Sequence, residues 1–255
     1  MKILGYFCAR MGSERLPGKM LKEINGLKAI DHTYNRFKKS KKLSKIVVAT
    51  STSKIDDQLC DYLKARNIPF FRGSEDDVLS RTKMLIEEEN PDICVQIFGD
   101  AIFNDYEIVD KFIDIYTNSD YEFVSNDLKT TYPPGFDVEV YNPLTLKEAC
   151  KLENKSEIRE HGTLAIRLRP HKFKIKNLEA PQNLYRPDYH LSLDSEEDLI
   201  CFEEIYRSLG NDCTAIQIIE YLDSNPKTKN INVNVERRFN KFRNESLKQL
   251  QNSEN

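Results

Sequence analysis

The sequence predicts an α/β protein built on a parallel sheet covered on both faces, and three observations predict it. Short apolar runs without strict alternation recur through the first 125 residues. Each run is followed by a segment of helical periodicity. No internal repeat and no Gly/Ser-rich linker interrupts the pattern, so one continuous domain is expected.

The elements follow in order. Ile3–Ala9 is rich in β-formers and ends at a loop carrying Gly12, Pro17 and Gly18, after which helical spacing covers Ala29–Lys39. Lys45–Ser51 reads as a buried strand and Asp56–Arg66 as a helix. Pro69–Arg72 is a short strand ending at Gly73, and Asp76–Glu89 is a helix with acids in its first turn, where the helix dipole favours them. Ile93–Phe98 is the fourth apolar run, closed by Gly99-Asp100 and a helix over Asp105–Thr117. In the second half, Phe136–Tyr141, Lys172–Leu178 and Tyr189–Leu193 read as strands and Leu144–Leu152 as a helix. Ser195 caps a helix running to Leu209, and Thr214–Leu222 forms the last one. We expect one domain over residues 1–225, followed by a charged tail over 226–255 that is peripheral or partly disordered. Ligands of such sheets bind beyond the carboxyl ends of the strands. Those ends are Arg10–Lys19, Ser51–Ser53, Gly73 and Asp100.

Composition narrows the partners. A chain of 255 residues can bury a substantial core. Its net charge of −3 gives no basic footprint for nucleic acid or an anionic membrane. No run approaches the roughly 20 apolar residues of a membrane span, and MKILGYFCA is too short an apolar start for a secretion signal. The six cysteines are scattered without a C-x-x-C pair, which fits free thiols, small core residues and a cytoplasmic protein.

The chemistry concentrates in Arg10-Met-Gly-Ser-Glu-Arg-Leu-Pro-Gly-Lys19, between the first strand and the first helix. Glycines let a backbone curl around an anion, and Arg10, Arg15 and Lys19 surround them; a triphosphate needs that combination, although a solvated basic turn has the same composition. Two familiar phosphate loops are excluded. Five residues separate Gly12 from Gly18 where a P-loop has four, and Met20 stands at its Ser/Thr position. No G-x-G-x-x-G opens the first helix, so a dinucleotide fold has no support.

ARMGSERLPGK resembles the N-terminal signature of the cytidylyltransferases that activate acidic sugars such as Kdo and sialic acid. It is most similar to the SpsF-like branch of bacterial surface polysaccharide synthesis, whose signature reads ARMGSTRLPGK. The resemblance continues through Val48-Ala-Thr-Ser51, Gly73-Ser-Glu-Asp-Asp-Val-Leu-Ser-Arg81 and Gly99-Asp100. It extends to Gly135-Phe-Asp-Val-Glu-Val140, Arg159-Glu-His161 and Leu193-Asp-Ser-Glu-Glu-Asp-Leu199, in the family's order.

The resemblance implies a GT-A-like fold: a mixed, mostly parallel sheet flanked by helices. It implies transfer of CMP from CTP to an acidic sugar or sugar phosphate with release of pyrophosphate. Arg10, Arg15 and Lys19 match the residues holding the triphosphate, with Gly12, Ser13 and Gly18 shaping the loop. Asp100 and Asp194 match Mg²⁺-binding carboxylates, although an Asp after a strand also serves as a turn or cap residue. Gly73, Asp77 and Arg81 match the lining of the nucleobase pocket; Asp77 reads equally as a helix N-terminal acid and Arg81 as a solvated helix residue. Asp137, Glu139, Arg159, Glu160 and His161 match segments near the acceptor. Asp137 and Glu139 alternate as residues on one strand face do, and an edge strand or a core histidine are the plainer readings. Ala101-Ile-Phe-Asn104 replaces the branch's Cys-Pro-Leu-like segment, which predicts a looser loop beside Asp100. Relatives of this kind imply a homodimer. Two competing readings are a GT-A glycosyltransferase, which needs fewer loop cations, and a non-catalytic nucleotide-binding protein, which would not need both Asp100 and Asp194.

Overall fold

In the computed structural model, which describes residues 1–236, apolar runs and helical segments alternate as the periodicity implies. The first half contains β1 (Ile3–Cys8), a small hairpin of β2 (Glu23–Ile24) and β3 (Leu27–Lys28), and α1 (Ala29–Phe37). It continues with β4 (Lys45–Ser51), α2 (Asp57–Ala65), β5 (Phe70–Gly73), α3 (Val78–Glu89), β6 (Ile93–Phe98) and α4 (Tyr106–Thr117). The second half contains β7 (Phe123–Ser125), β8 (Val138–Tyr141), α5 (Pro143–Leu152), α6 (Ser156–Arg159), α7 (Leu164–Arg167) and β9 (Ile175–Asn177). Three helices close it: α8 (Glu196–Leu209), α9 (Ala215–Ser224) and α10 (Pro226–Lys229).

Seven strands form one sheet in the order β5-β4-β1-β6-β8-β7-β9. β5, β4, β1 and β6 are parallel, β8 runs antiparallel to β6 and β7, and β9 is parallel to β7. β1 and β6 lie inside the sheet with both faces covered, which is why neither alternates. On one face Phe7, Val48, Val95 and Ile97 pack with residues of α1, α2, α4, α8 and α9; on the other, Leu4, Tyr6, Val47 and Cys94 pack with α3, α5 and the segment around α7. The carboxyl ends of β1 and β6 therefore open side by side.

Several expectations are corrected. α3 begins at Val78, because Asp77 is its N-cap and accepts the Ser80 N–H at 2.8 Å. Tyr189–Leu193 is not a strand. Its alternating apolar side chains are buried, but its backbone makes isolated bonds, Leu191 N–H to the Pro134 carbonyl and Leu193 N–H to that of Asp100, rather than a ladder. The segment 101–104 is not loose. All four residues are buried, the Asn104 amide donates to the carbonyls of Thr33 and Ala101, and Arg36 and Tyr206 donate to the carbonyls of Phe103, Asn104 and Ile102. Side-chain hydrogen bonds supply the rigidity expected of a proline. The tail expected to begin at 226 instead starts with α10 docked on α8 and α9, with Thr228 and Asn232 buried; residues 237–255 lie outside the described residues. All six cysteines are free thiols. No helix among the described residues is long and apolar enough to cross a membrane.

Candidate active site

The loop after β1 is shaped by a simple alternation. Each cation is followed by an apolar residue, and Met11, Leu16 and Met20 are buried while Arg10, Arg15 and Lys19 sit at the rim. Burying the three apolar side chains anchors the loop without consuming its charges. The fully buried Asp56 accepts the Met11 N–H at 2.6 Å and binds the backbone and hydroxyl of Ser51, tying the loop to the end of β4. The Met11 carbonyl accepts the N–H groups of Ser13 (2.9 Å) and Gly18 (3.1 Å). Gly18 has φ +68°, the left-handed region that favours glycine. Gly12 is not so constrained: a Cβ there would meet only Glu75 Oε1, at 3.9 Å.

Lys19 is the hub. Its Nζ donates to Asp100 Oδ2 at 2.9 Å, to Asp194 Oδ1 at 2.9 Å and to the Leu193 carbonyl at 2.8 Å. Arg15 Nη2 lies 3.1 Å from Asp194 Oδ2, and its Nη1 donates to the Glu236 carbonyl at 2.9 Å. Asp100 follows the end of β6; Asp194 arrives from the far half of the chain, joined by the Leu193 N–H to the Asp100 carbonyl. Beyond it, Ser195 and Asp198 form a capping box at the start of α8. Burial opposes the charge of Lys19, yet the two aspartates hold its ammonium above the usual lysine range. Burial raises the Asp100 carboxyl despite Lys19, whereas Asp194, also buried, is held below the usual range by Lys19 and Arg15 together.

Two carboxylates and a main-chain carbonyl converging on one cationic point form an all-oxygen donor set, which suits Mg²⁺. No group of three His, Cys, Asp or Glu that could hold a metal occurs among the described residues, so water and ligand phosphates would complete the coordination.

The remaining candidates lie on the far side of the loop and divide differently. Arg10 reaches Glu160 at 3.7 Å, both largely exposed, so the loop after β1 and the α6–α7 segment face each other. Asp77 and Arg159 are paired with one another: Arg159 Nε and Nη2 donate to Asp77 Oδ2 at 2.9 and 2.7 Å. That pair latches α6 to the cap of α3. Arg81 is buried rather than solvated; its Nη1 donates to the Ser74 carbonyl at 3.0 Å and its stem packs on Gly73, where a Cβ would lie 2.6 Å from Arg81 Cγ. Ser13 is half-buried in the loop after β1, and His161 is half-buried just after α6. Burial, with Arg167 and Arg10, outweighs Glu160 and holds the His161 ring below the usual histidine range.

Asp137 and Glu139 do not share an open strand face. Asp137 precedes β8 and accepts the Gly135 N–H at 2.9 Å. Glu139 is fully buried, accepts the Thr163 hydroxyl at 2.6 Å, and lies 3.6 Å from Arg167, which also binds Asp127. Burial raises the Glu139 carboxyl to about 7 against the pull of Arg167.

The structure thus gathers Arg15, Lys19, Asp100 and Asp194 into one cluster, sets Arg10 and Glu160 across from each other, pairs Asp77 with Arg159, and buries Glu139. Sequence reasoning missed Asp56, Asp127, Arg167, Asp198 and Asn232. The Ser195-x-x-Asp198 spacing of a capping box was a usable signal for Asp198. The others carry no local pattern.

The sequence profile of the cytidylyltransferase family matches residues 7–211. The spore coat polysaccharide biosynthesis protein SpsF of Bacillus subtilis is 33% identical over 233 residues, covering 88% of this chain and 95% of that protein. An uncharacterised protein of Methanocaldococcus jannaschii is 34% identical over 236 residues, covering 92% and 96%. The solved structure of a cytidylyltransferase from Leptospira borgpetersenii superposes with a TM-score of 0.83 at 28% identity, over 90% of this chain and 97% of that one.

Proposed function

The chain belongs to the cytidylyltransferase family, and from that premise we propose that it transfers CMP from CTP to an oxygen of an acidic sugar or sugar phosphate, releasing pyrophosphate, in the cytoplasmic stage of surface-glycan synthesis. The observation that carries the reading is the meeting of loop cations Arg15 and Lys19 with carboxylates Asp100 and Asp194 at the open ends of the central strands. Mg²⁺ held by Asp100 and Asp194 supplies charge neutralisation at the phosphates when bound.

The chain's own groups do the rest. The acceptor oxygen bonds to the α-phosphorus as the bond to the pyrophosphate oxygen breaks in line. Arg10, Arg15 and Lys19 take up the charge that grows on the departing pyrophosphate. Gly12, Ser13 and Gly18 bring the loop backbone to the phosphates. Gly73, Asp77 and Arg81 shape the nucleobase end, with Arg81 and Arg159 acting from behind the loop. Asp137, Glu160 and His161 face the acceptor, and the His161 ring, held below the usual histidine range mainly by burial, offers a nitrogen to an acceptor hydroxyl. Glu139 acts on the acceptor side only through Thr163 and Arg167. Positioning and electrostatics supply most of the acceleration.

A pyrophosphate-release screen tests this, with each of the four nucleoside triphosphates and Mg²⁺ against a panel of acidic sugars and sugar phosphates. CTP-dependent release with an acidic acceptor is expected. Tight binding of a nucleotide-sugar with no release from CTP would instead favour glycosyl transfer.

A further inference from the structure

The family match ends at residue 211, yet the chain beyond it returns to the site. α10 is seated against α8 and α9; Cys201 Sγ lies 3.5 Å from the Thr228 carbonyl, and the Lys229 ammonium sits 5.3 Å from the centre of the Tyr189 ring. From that anchorage residues 231–236 run toward the phosphate loop. Asn232 is 3% exposed, and its Nδ2 donates at 2.7 Å to Asp198 Oδ1 and at 2.9 Å to the His190 carbonyl. The other oxygen of Asp198 accepts the N–H groups of Asp194 and Ser195, both at 2.9 Å, and the Ser195 hydroxyl at 3.1 Å. Four residues later the Glu236 carbonyl accepts Arg15 Nη1.

These contacts form two short relays. One runs from Asn232 through the Asp198 carboxylate to the backbone of Asp194. The other runs from Glu236 to the guanidinium whose second arm holds the Asp194 carboxylate. Nothing in the apolar core requires an amide at position 232; its buried nitrogen is spent on fixing Asp198 and the 190 segment that leads into Asp194. With three donors on one oxygen and Asn232 on the other, the Asp198 carboxylate is restrained from both sides.

We infer that residues 231–236, anchored by α10, are part of the active site rather than an appendage, with Asn232 a positioning residue that acts through Asp198 to aim Asp194. The inference rests on the reading of Asp194 as a cation-binding carboxylate. Outer-shell partners of this kind commonly change metal affinity by about 10–100-fold when removed.

The test uses the full chain and Mn²⁺ titrated in the presence of CTP without acceptor, with free Mn²⁺ followed by electron paramagnetic resonance. Asn232→Ala is expected to weaken Mn²⁺ binding by about tenfold, Asn232→Ser by less because a donor remains, and Lys227→Ala, exposed in α10, not at all. Circular dichroism verifies folding, and Asn232→Ser keeps the question answerable should Asn232→Ala fail to fold. Asp194→Asn is the reference. Loss of Mn²⁺ affinity in Asp194→Asn with wild-type affinity in both Asn232 variants overturns the positioning role and leaves the site reading intact. Wild-type affinity in Asp194→Asn as well overturns both.

Discussion

The two sides of the cleft treat charge in opposite ways. At the loop after β1, Arg15, Lys19, Asp100 and Asp194 are only partly buried and are held mainly by ion pairs with one another. Across the cleft, Arg167 with Asp127 and Glu139 is sealed in the interior, and Asp77 with Arg159 latches two helices together. The first arrangement suits a binding surface, because its ion pairs exchange at small cost. The Arg167 cluster is scaffold, because removing one partner leaves a charge stranded away from water, whereas Asp77 with Arg159, as exposed as the loop pairs, acts as a latch between helices. A carboxylate in a family-like motif is therefore not by itself a ligand-binding group; its access decides.

The contrast breaks most visibly at Arg167. Arg167→Ala is expected to lower stability by about 3–5 kcal/mol, a fall of about 6–20 °C in melting temperature by calorimetry. A fall of only a degree or two would erase the distinction between the two sides. Asp100→Asn should do the reverse: it leaves the melting temperature nearly unchanged while slowing pyrophosphate release by about 10²–10³-fold. Comparable loss of stability in this variant would make Asp100 scaffold too.

A finer test uses pH. The Glu139 carboxyl titrates at about 7 in the fold against an ordinary value of 4.5, so the folded chain holds that proton more tightly than the unfolded one. Stability contributed by the protonated form is therefore lost as pH rises from about 4.5 to about 7. Glu139→Gln has nothing to ionise, so its melting temperature relative to wild type should climb across that window; Arg167, Asp127 and Asp137 are the charged groups that face it. A flat difference would mean that Glu139 is ionised throughout. The smallest effect separates two glycines of one loop. Gly18→Ala should cost about 1–2 kcal/mol through its left-handed backbone, while Gly12→Ala changes stability by less than about 0.5 kcal/mol and acts, if anywhere, on the KM for nucleotide.

Much of the loop side of the site is legible in the chain because local rules agree there. Arg10-Met11, Arg15-Leu16 and Lys19-Met20 pair a charge with an anchor, Asp100 closes an apolar run, and Ser195 announces a helix. The side built from the second half of the chain is harder to read. Phe123–Ser125 is too short a strand to stand out, and Arg167 meets Asp127 and Glu139 only through tertiary packing. Tyr189, Leu191 and Leu193 alternate as a strand does, since burial of every second side chain needs no ladder. Residues 226–236 read as a polar tail because hydropathy cannot see Asn232 enter the interior by hydrogen bonding. Gly12 shows the converse limit: its motif position is plain, but the fold alone gives no reason for it.

Lys19 also has a bearing on assembly of the chain. Its ammonium stitches together segments 81 and 175 positions away in sequence, Asp100 and Asp194, which would otherwise repel each other across the mouth of the sheet. The protein carries its own counter-ion at this point, so Asp100 and Asp194 can come together during biosynthesis without waiting for a divalent ion.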